Sequence, residues 1–172
     1  ILSIAIIDKT EPIDIATLAA VLLHLPSGGA EREALVYSHP IITLVQTWLE
    51  VSDTANYAHM IFDEPRAGFA PKTILQTEGV VDEYTPPASI EALATATRIP
   101  QIEPIIREIP GLSILGLTPQ ASGASMNVAG GSATAGLVQL DGGHFVAFRE
   151  EDGERIVQDF FRSLLEGSPS VQ

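Results

Sequence analysis

The sequence has 172 residues, 45% of them apolar and 18% charged, which is the composition of a folded chain with a sizeable core. Its net charge is −13, and Lys9 and Lys72 are its only lysines, so the chain repels a phosphate backbone, no nucleic-acid partner is expected, and an anionic lipid surface is a poor one. There is no cysteine, which removes disulfides, thiolate metal sites and a Cys nucleophile, and no apolar stretch is long enough to span a bilayer.

Residues 1–7 (ILSIAII) read as a buried strand or the interior of a helix, a choice that so short a run does not decide. The chain opens without Met and inside this run, so a piece of a longer polypeptide or a cleaved precursor is expected, with residues 1–9 as an entry segment. Asp14 then stands where a helix N-cap belongs. Ile15, Leu18, Ala19, Leu22 and Leu23 follow as an amphipathic stripe, stopped by Pro26-Ser27-Gly28-Gly29. Pro40 opens a second helix with the stripe Ile41, Leu44, Val45, Trp48 and Leu49, and residues 53–62 suggest a third, ended by Glu64-Pro65. Residues 10–65 thus read as helical without a strand. In an α/β chain that is an inserted helical cap or, alternatively, a set of ordinary sheet-covering helices.

The first clear strand covers residues 72–76. A loop follows, Thr77-Glu78-Gly79-Val80-Val81-Asp82-Glu83-Tyr84, and a helix starts with Thr85 as N-cap and Pro86 at its first position. Ile90, Leu93, Ala94 and Thr97 share a face, and Pro100 closes the helix. Residues 100–134, broken by Pro104, Pro110 and Pro119, read as a long connection with strand character near 113–117. Residues 136–140 form the second strand, followed by Asp141-Gly142-Gly143-His144-Phe145. Asp152 is expected to cap a last helix carrying Ile156, Val157, Phe160, Phe161, Leu164 and Leu165, terminated by Gly167 and Pro169.

Each of the two loops leaves the C-terminal end of a buried strand, the edge at which open α/β sheets bind ligands. The first offers Asp82 and the second His144, and an imidazole steered by a carboxylate is a general base. Two glycines ahead of His144 are expected to let the chain turn sharply off the strand and to leave room beside the ring. Glu83 is the second-ranked acid, and Glu78 sits too near its strand to reach across. The plainer readings are a loop histidine bonded to backbone and a solvated acidic turn. His24, His39 and His59 are scattered without a carboxylate cluster, so no metal site is expected. Ala129-Gly130-Gly131-Ser132 lacks the lysine and helix of a phosphate loop, and no cofactor is expected. Leu22, Leu44 and Trp48 on the cap helices are either core or the walls of an acyl-binding pocket.

Over residues 66–166 the order of strand, Gly79-Val80-Val81-Asp82, Pro-led helix, strand, Gly142-Gly143-His144-Phe145 and amphipathic terminal helix resembles the C-terminal half of the α/β-hydrolases. The likeness is greatest to bacterial lipase- and esterase-like members. That resemblance implies a partial α/β-hydrolase fold: the last parallel strands of the sheet, a cap over 10–65, and the C-terminal part of the core over 66–172. It further implies that His144 and Asp82 belong to a Ser-His-Asp triad acting on a small apolar carboxylic ester. The Gly-x-Ser-x-Gly elbow is absent: Gly123-Ala124-Ser125-Met126-Asn127 and Gly130-Gly131-Ser132-Ala133-Thr134 both fail at the last position. Two or three parallel strands are also too few to cover four or five amphipathic helices. The nucleophile, the oxyanion hole and the remaining strands are therefore expected on an N-terminal portion of the same gene product, covalently attached or cleaved. The other expectation is a hydrolase-like module that binds or assembles without catalysis. The resemblance is compatible with a secreted or periplasmic protein, any leader lying ahead of Ile1.

Overall fold

The computed structural model describes residues 1–25, 35 and 39–172, so the stop signal at Pro26-Ser27-Gly28-Gly29 lies outside the described residues. The ambiguous first run is helical, α1 (Leu2–Asp8). Helix α2 (Ile15–Leu22) begins where the Asp14 carboxylate accepts the Thr17 N–H at 2.9 Å, filling one of the donors that a helix start leaves open. Helix α3 (Pro40–Leu49) has proline in its first turn, and His39 Nδ1 accepts the Ile41 N–H at 3.2 Å. The expected third helix is two short pieces, a 3-10 turn (Thr54–Tyr57) capped by Asp53 and α4 (His59–Phe62).

The core proper follows: β1 (Ile74–Gly79), α5 (Pro87–Thr97), α6 (Pro110–Ile114), β2 (Ala135–Leu140), α7 (Val146–Arg149) and α8 (Glu151–Leu165). Several expected bounds move. Strand β1 spans Ile74–Gly79 rather than 72–76, so Thr77, Glu78 and Gly79 are paired strand and not loop. Helix α5 starts one residue late, with Pro86 at the cap, and the Thr85 N–H donates to Asp82 instead of opening the helix. Residues 113–117 are not a strand: Pro110 in a first turn sets a short helix there, and Leu112 is buried on it. Asp152 is not the cap of α8, which has Glu150 there. Asp152 sits in the first turn with Glu151 and Glu154, where negative charge favours the helix dipole.

The two strands run parallel, in register from Ile74 opposite Ala135 to Gly79 opposite Leu140. On one face Leu75, Val138 and Leu140 pack against Ile102, Val146, Ile156 and Phe160. On the other, Ile74, Ala135 and Leu137 pack against Ala94, Ile99, Ile109, Leu112 and Phe62. A third, separate cluster joins Ile7, Ala16, Ala20, Leu35 and Ile42 within the helical region. The fold class shown is thus mixed helix and parallel strand, with helices on both faces of a small sheet.

Among the described residues, the buried amides of this core are hydrogen-bonded, as burial requires. Gln139 Oε1 accepts the N–H groups of Ile106 and Arg107 at 3.1 and 3.0 Å, while Gln101 Oε1 accepts that of Ile109 at 3.2 Å. These amides fasten the stretch between α5 and α6 to the end of β2. Backbone bonds from Pro100 and Ile102 to Leu137 join these amides in holding the loop, partners far away in sequence, which is why its proline-broken sequence reads as shapeless.

The helical region departs from its pattern. Helix α2 buries Ala16 and Ala20, on the flank of its stripe, and α3 buries Ile42 alone. Small side chains at positions 16 and 20 bring α1 close, and the large side chains of the stripes are left outside: Leu22 is 70%, Leu44 64% and Trp48 79% exposed.

Candidate active site

Gly79 ends β1, and beyond it the two strands' loops stay laced together. Val80 N–H donates to the Leu140 carbonyl and Val81 N–H to that of Gly142, both at 3.1 Å. A Cβ on Gly79 would lie 2.4 Å from the Gly143 carbonyl oxygen and 2.7 Å from that of Gly142, so only glycine permits this approach. Beyond β2 the chain bends at residues 141–143, as expected, without a positive φ at either glycine; the room Gly142 supplies is for Val146, since its Cβ would sit 2.7 Å from that side chain.

With the loops held in this way, Asp82 and His144 meet: Nδ1 lies 2.9 Å from Oδ2. The other carboxylate oxygen, Oδ1, accepts the backbone N–H groups of Tyr84 and Thr85, each at 2.8 Å. A carboxylate taking two amide donors on one oxygen is an ionised acceptor, so the proton of the His144 contact belongs on Nδ1. Nε2 then carries the lone pair, and it has no hydrogen-bond partner among the described residues. The Asp82 side chain is 4% exposed and that of His144 35%, so the acid is shut in while the imidazole reaches solvent. Tyr84 stacks on the imidazole (centroids 5.1 Å apart, planes at 21°), and Phe145 meets it edge-on at 4.8 Å. The Arg149 guanidinium lies over the Phe145 ring at 4.1 Å. Sequence reasoning missed Tyr84 and Phe145, although each is an aromatic within two residues of a site side chain.

The rival acids go elsewhere. Glu83 is exposed and contributes its carbonyl, which accepts the Thr10 and Glu11 N–H groups at 3.1 Å and ties the helical region to the acid loop. Glu78 is fully buried on the opposite side of the strand. Its Oε1 lies 2.9 Å from Arg107 Nη2 and its Oε2 accepts from Gln139 Nε2 at 3.2 Å. Arg107 Nη2 also stands 2.6 Å from Glu91 Oε1, an ion pair outside hydrogen-bond geometry. Burial pushes the Glu78 carboxyl above its usual range and the nearby Glu91 charge adds to this, outweighing the opposing Gln139 bond and Arg107 charge.

His144 and Asp82 border an open groove of about 520 Å³ that runs along β1 between α5 and α7. Leu22, Leu44 and Trp48 are not among its lining residues. Ser89 is, but its hydroxyl donates to the Pro86 carbonyl at 2.7 Å inside the first turn of α5. Ser125 and Ser132 are engaged with the carbonyls of Pro169 and Ala129. Among the described residues no three His, Asp or Glu side chains converge on a metal-sized site, and no helix is long and apolar enough to cross a membrane. Compared with family models, with curated proteins and with solved structures, the chain finds no match in any of the three.

Proposed function

We propose that this chain carries the histidine and acid of a serine hydrolase acting on carboxylic esters. The observation that supports it most is the 2.9 Å contact between His144 Nδ1 and an Asp82 carboxylate whose second oxygen is already held by two amides. In this reading Asp82 fixes the tautomer, leaving Nε2 to take the proton of a serine hydroxyl as that oxygen attacks the ester carbonyl. The imidazolium is stabilised by Asp82, and Nε2 then returns the proton to the leaving alcohol. Water repeats the cycle on the acyl-serine, its proton passing through the same nitrogen.

The serine and the oxyanion hole belong to an N-terminal portion of the same hydrolase, and residues 10–65 are its cap. Leu22, Leu44 and Trp48 stand exposed on α2 and α3, where an apolar acyl chain would bury them at a gain of about 25 cal/mol per Å². The same free Nε2 also favours a second reading, a hydrolase-like module that binds without catalysis. A fluorophosphonate probe on the full natural polypeptide separates the two. Labelling of a serine outside the sequence, lost on His144→Ala, supports the hydrolase; no labelling supports the module.

A further inference from the structure

Asp82 and His144 are joined by one hydrogen bond, and one bond holds an atom but not a plane. The imidazole keeps its broad freedom of turn about the Cβ–Cγ bond, and with 35% of the side chain exposed, water competes for Nδ1–H. A closed set of rings removes both freedoms. Tyr84 lies flat against the imidazole, Phe145 meets it edge-on, and these two rings meet each other with centroids 5.8 Å apart and planes at 63°.

Tyr84 differs from Phe145 in what it presents. Its electron-rich face lies toward the imidazole, whereas Phe145 stands at 81° to that ring and has Arg149 over its own face. The Tyr84 N–H is also one of the two that hold Asp82 Oδ1, so acid and base are both anchored on this residue. Its hydroxyl makes no hydrogen bond among the described residues, and it does not border the groove, so its ring acts through His144 rather than on a ligand.

We propose that Tyr84 is a positioning residue for the pair: its amide fixes the Asp82 carboxylate, while its ring face sets the plane of His144 and keeps water off the Nδ1–H contact. The inference rests on the hydrolase reading for the use made of the imidazole. In that reading the ring is cationic once Nε2 has taken the serine proton, and an aromatic face stacked on it stabilises that charge. The benefit arises in proton transfer and not in substrate binding, so it belongs to kcat and not to KM.

Three substitutions in the full natural polypeptide test this, read by hydrogen exchange of His144 Nδ1–H and by ester turnover. Tyr84→Phe keeps the ring. Tyr84→Leu and Tyr84→Met fill the space without a flat face, and either serves should the other fail to fold. The Leu and Met variants are expected to speed Nδ1–H exchange at least about tenfold and to lower kcat about five- to thirtyfold, with KM within about twofold. Tyr84→Phe should restore both to within about twofold of the parent. Unchanged exchange in the Leu and Met variants overturns the proposal. So does faster exchange with kcat unchanged, a loss confined to KM, or a Phe variant as impaired as Leu. The outcomes separate: a parent without ester turnover or a labelled serine ends the hydrolase reading, and Nδ1–H exchange then decides the role of Tyr84 by itself.

Discussion

The rim of the sheet and the helical region before it obey different rules, although both begin with a carboxylate at a turn. Asp14 caps its own helix through a bond three residues away, whereas Asp82 meets His144 across 62 residues of sequence. At the rim every neighbour is fixed: Gly79 admits the second loop, two amides hold Asp82, and rings brace the imidazole. In the helical region the caps form as the sequence asks, yet the leucine stripes face outward. Local hydrogen-bonding chemistry sets where an element starts, but which face it buries depends on partners that the pattern does not name.

The comparison sharpens most where the rim is broken. His144→Ala in the full natural polypeptide should lower ester turnover by roughly four to six orders of magnitude, read as kcat/KM. Asp82→Asn, which keeps the shape but removes the acceptor for Nδ1–H, should cost roughly three to four orders, while Glu83→Gln stays within about twofold. Gly79→Ala forces two carbonyls apart and should cost about 1–3 kcal/mol in denaturant unfolding, with a loss of turnover as the loops separate. The helical region should answer differently: Trp48→Ala and Leu44→Ala should each change unfolding free energy by no more than about 0.5 kcal/mol.

Glu78 offers a finer contrast with Asp82, four residues on. A carboxyl raised by burial binds its proton more tightly folded than unfolded. Its contribution is present below the usual glutamate range and is lost as pH rises through the raised value. Glu78→Gln removes that loss. The stability of the variant relative to the parent should therefore climb between mildly acid and neutral pH, no more steeply than about 1.4 kcal/mol per pH unit. A flat difference over that range would show that Arg107 and Gln139 compensate burial fully.

Much of the rim is legible in the sequence because strand, glycine and polar residue follow one another within a dozen positions. Asp82 before His144, each just past a buried run, is enough to pair them. Tyr84 escapes because nothing local tells which side of a loop a ring will take. The groove escapes as well, since its walls come from α5 and α7 on opposite faces of the sheet. The helix at 110–114 is hidden behind prolines, whose role in a first turn resembles a break when read alone. Leu22, Leu44 and Trp48 fit a stripe, but Ala16, Ala20 and Ile42 are what the neighbouring helix accepts.

Nitrogen NMR of the His144 ring at neutral pH, in the parent and in Asp82→Asn, tests the central claim most directly. A proton on Nδ1, strongly deshielded by Asp82 and altered in the variant, together with a bare Nε2, is the predicted result. A ring protonated on Nε2, or spectra that the Asp82 substitution leaves unchanged, would contradict it.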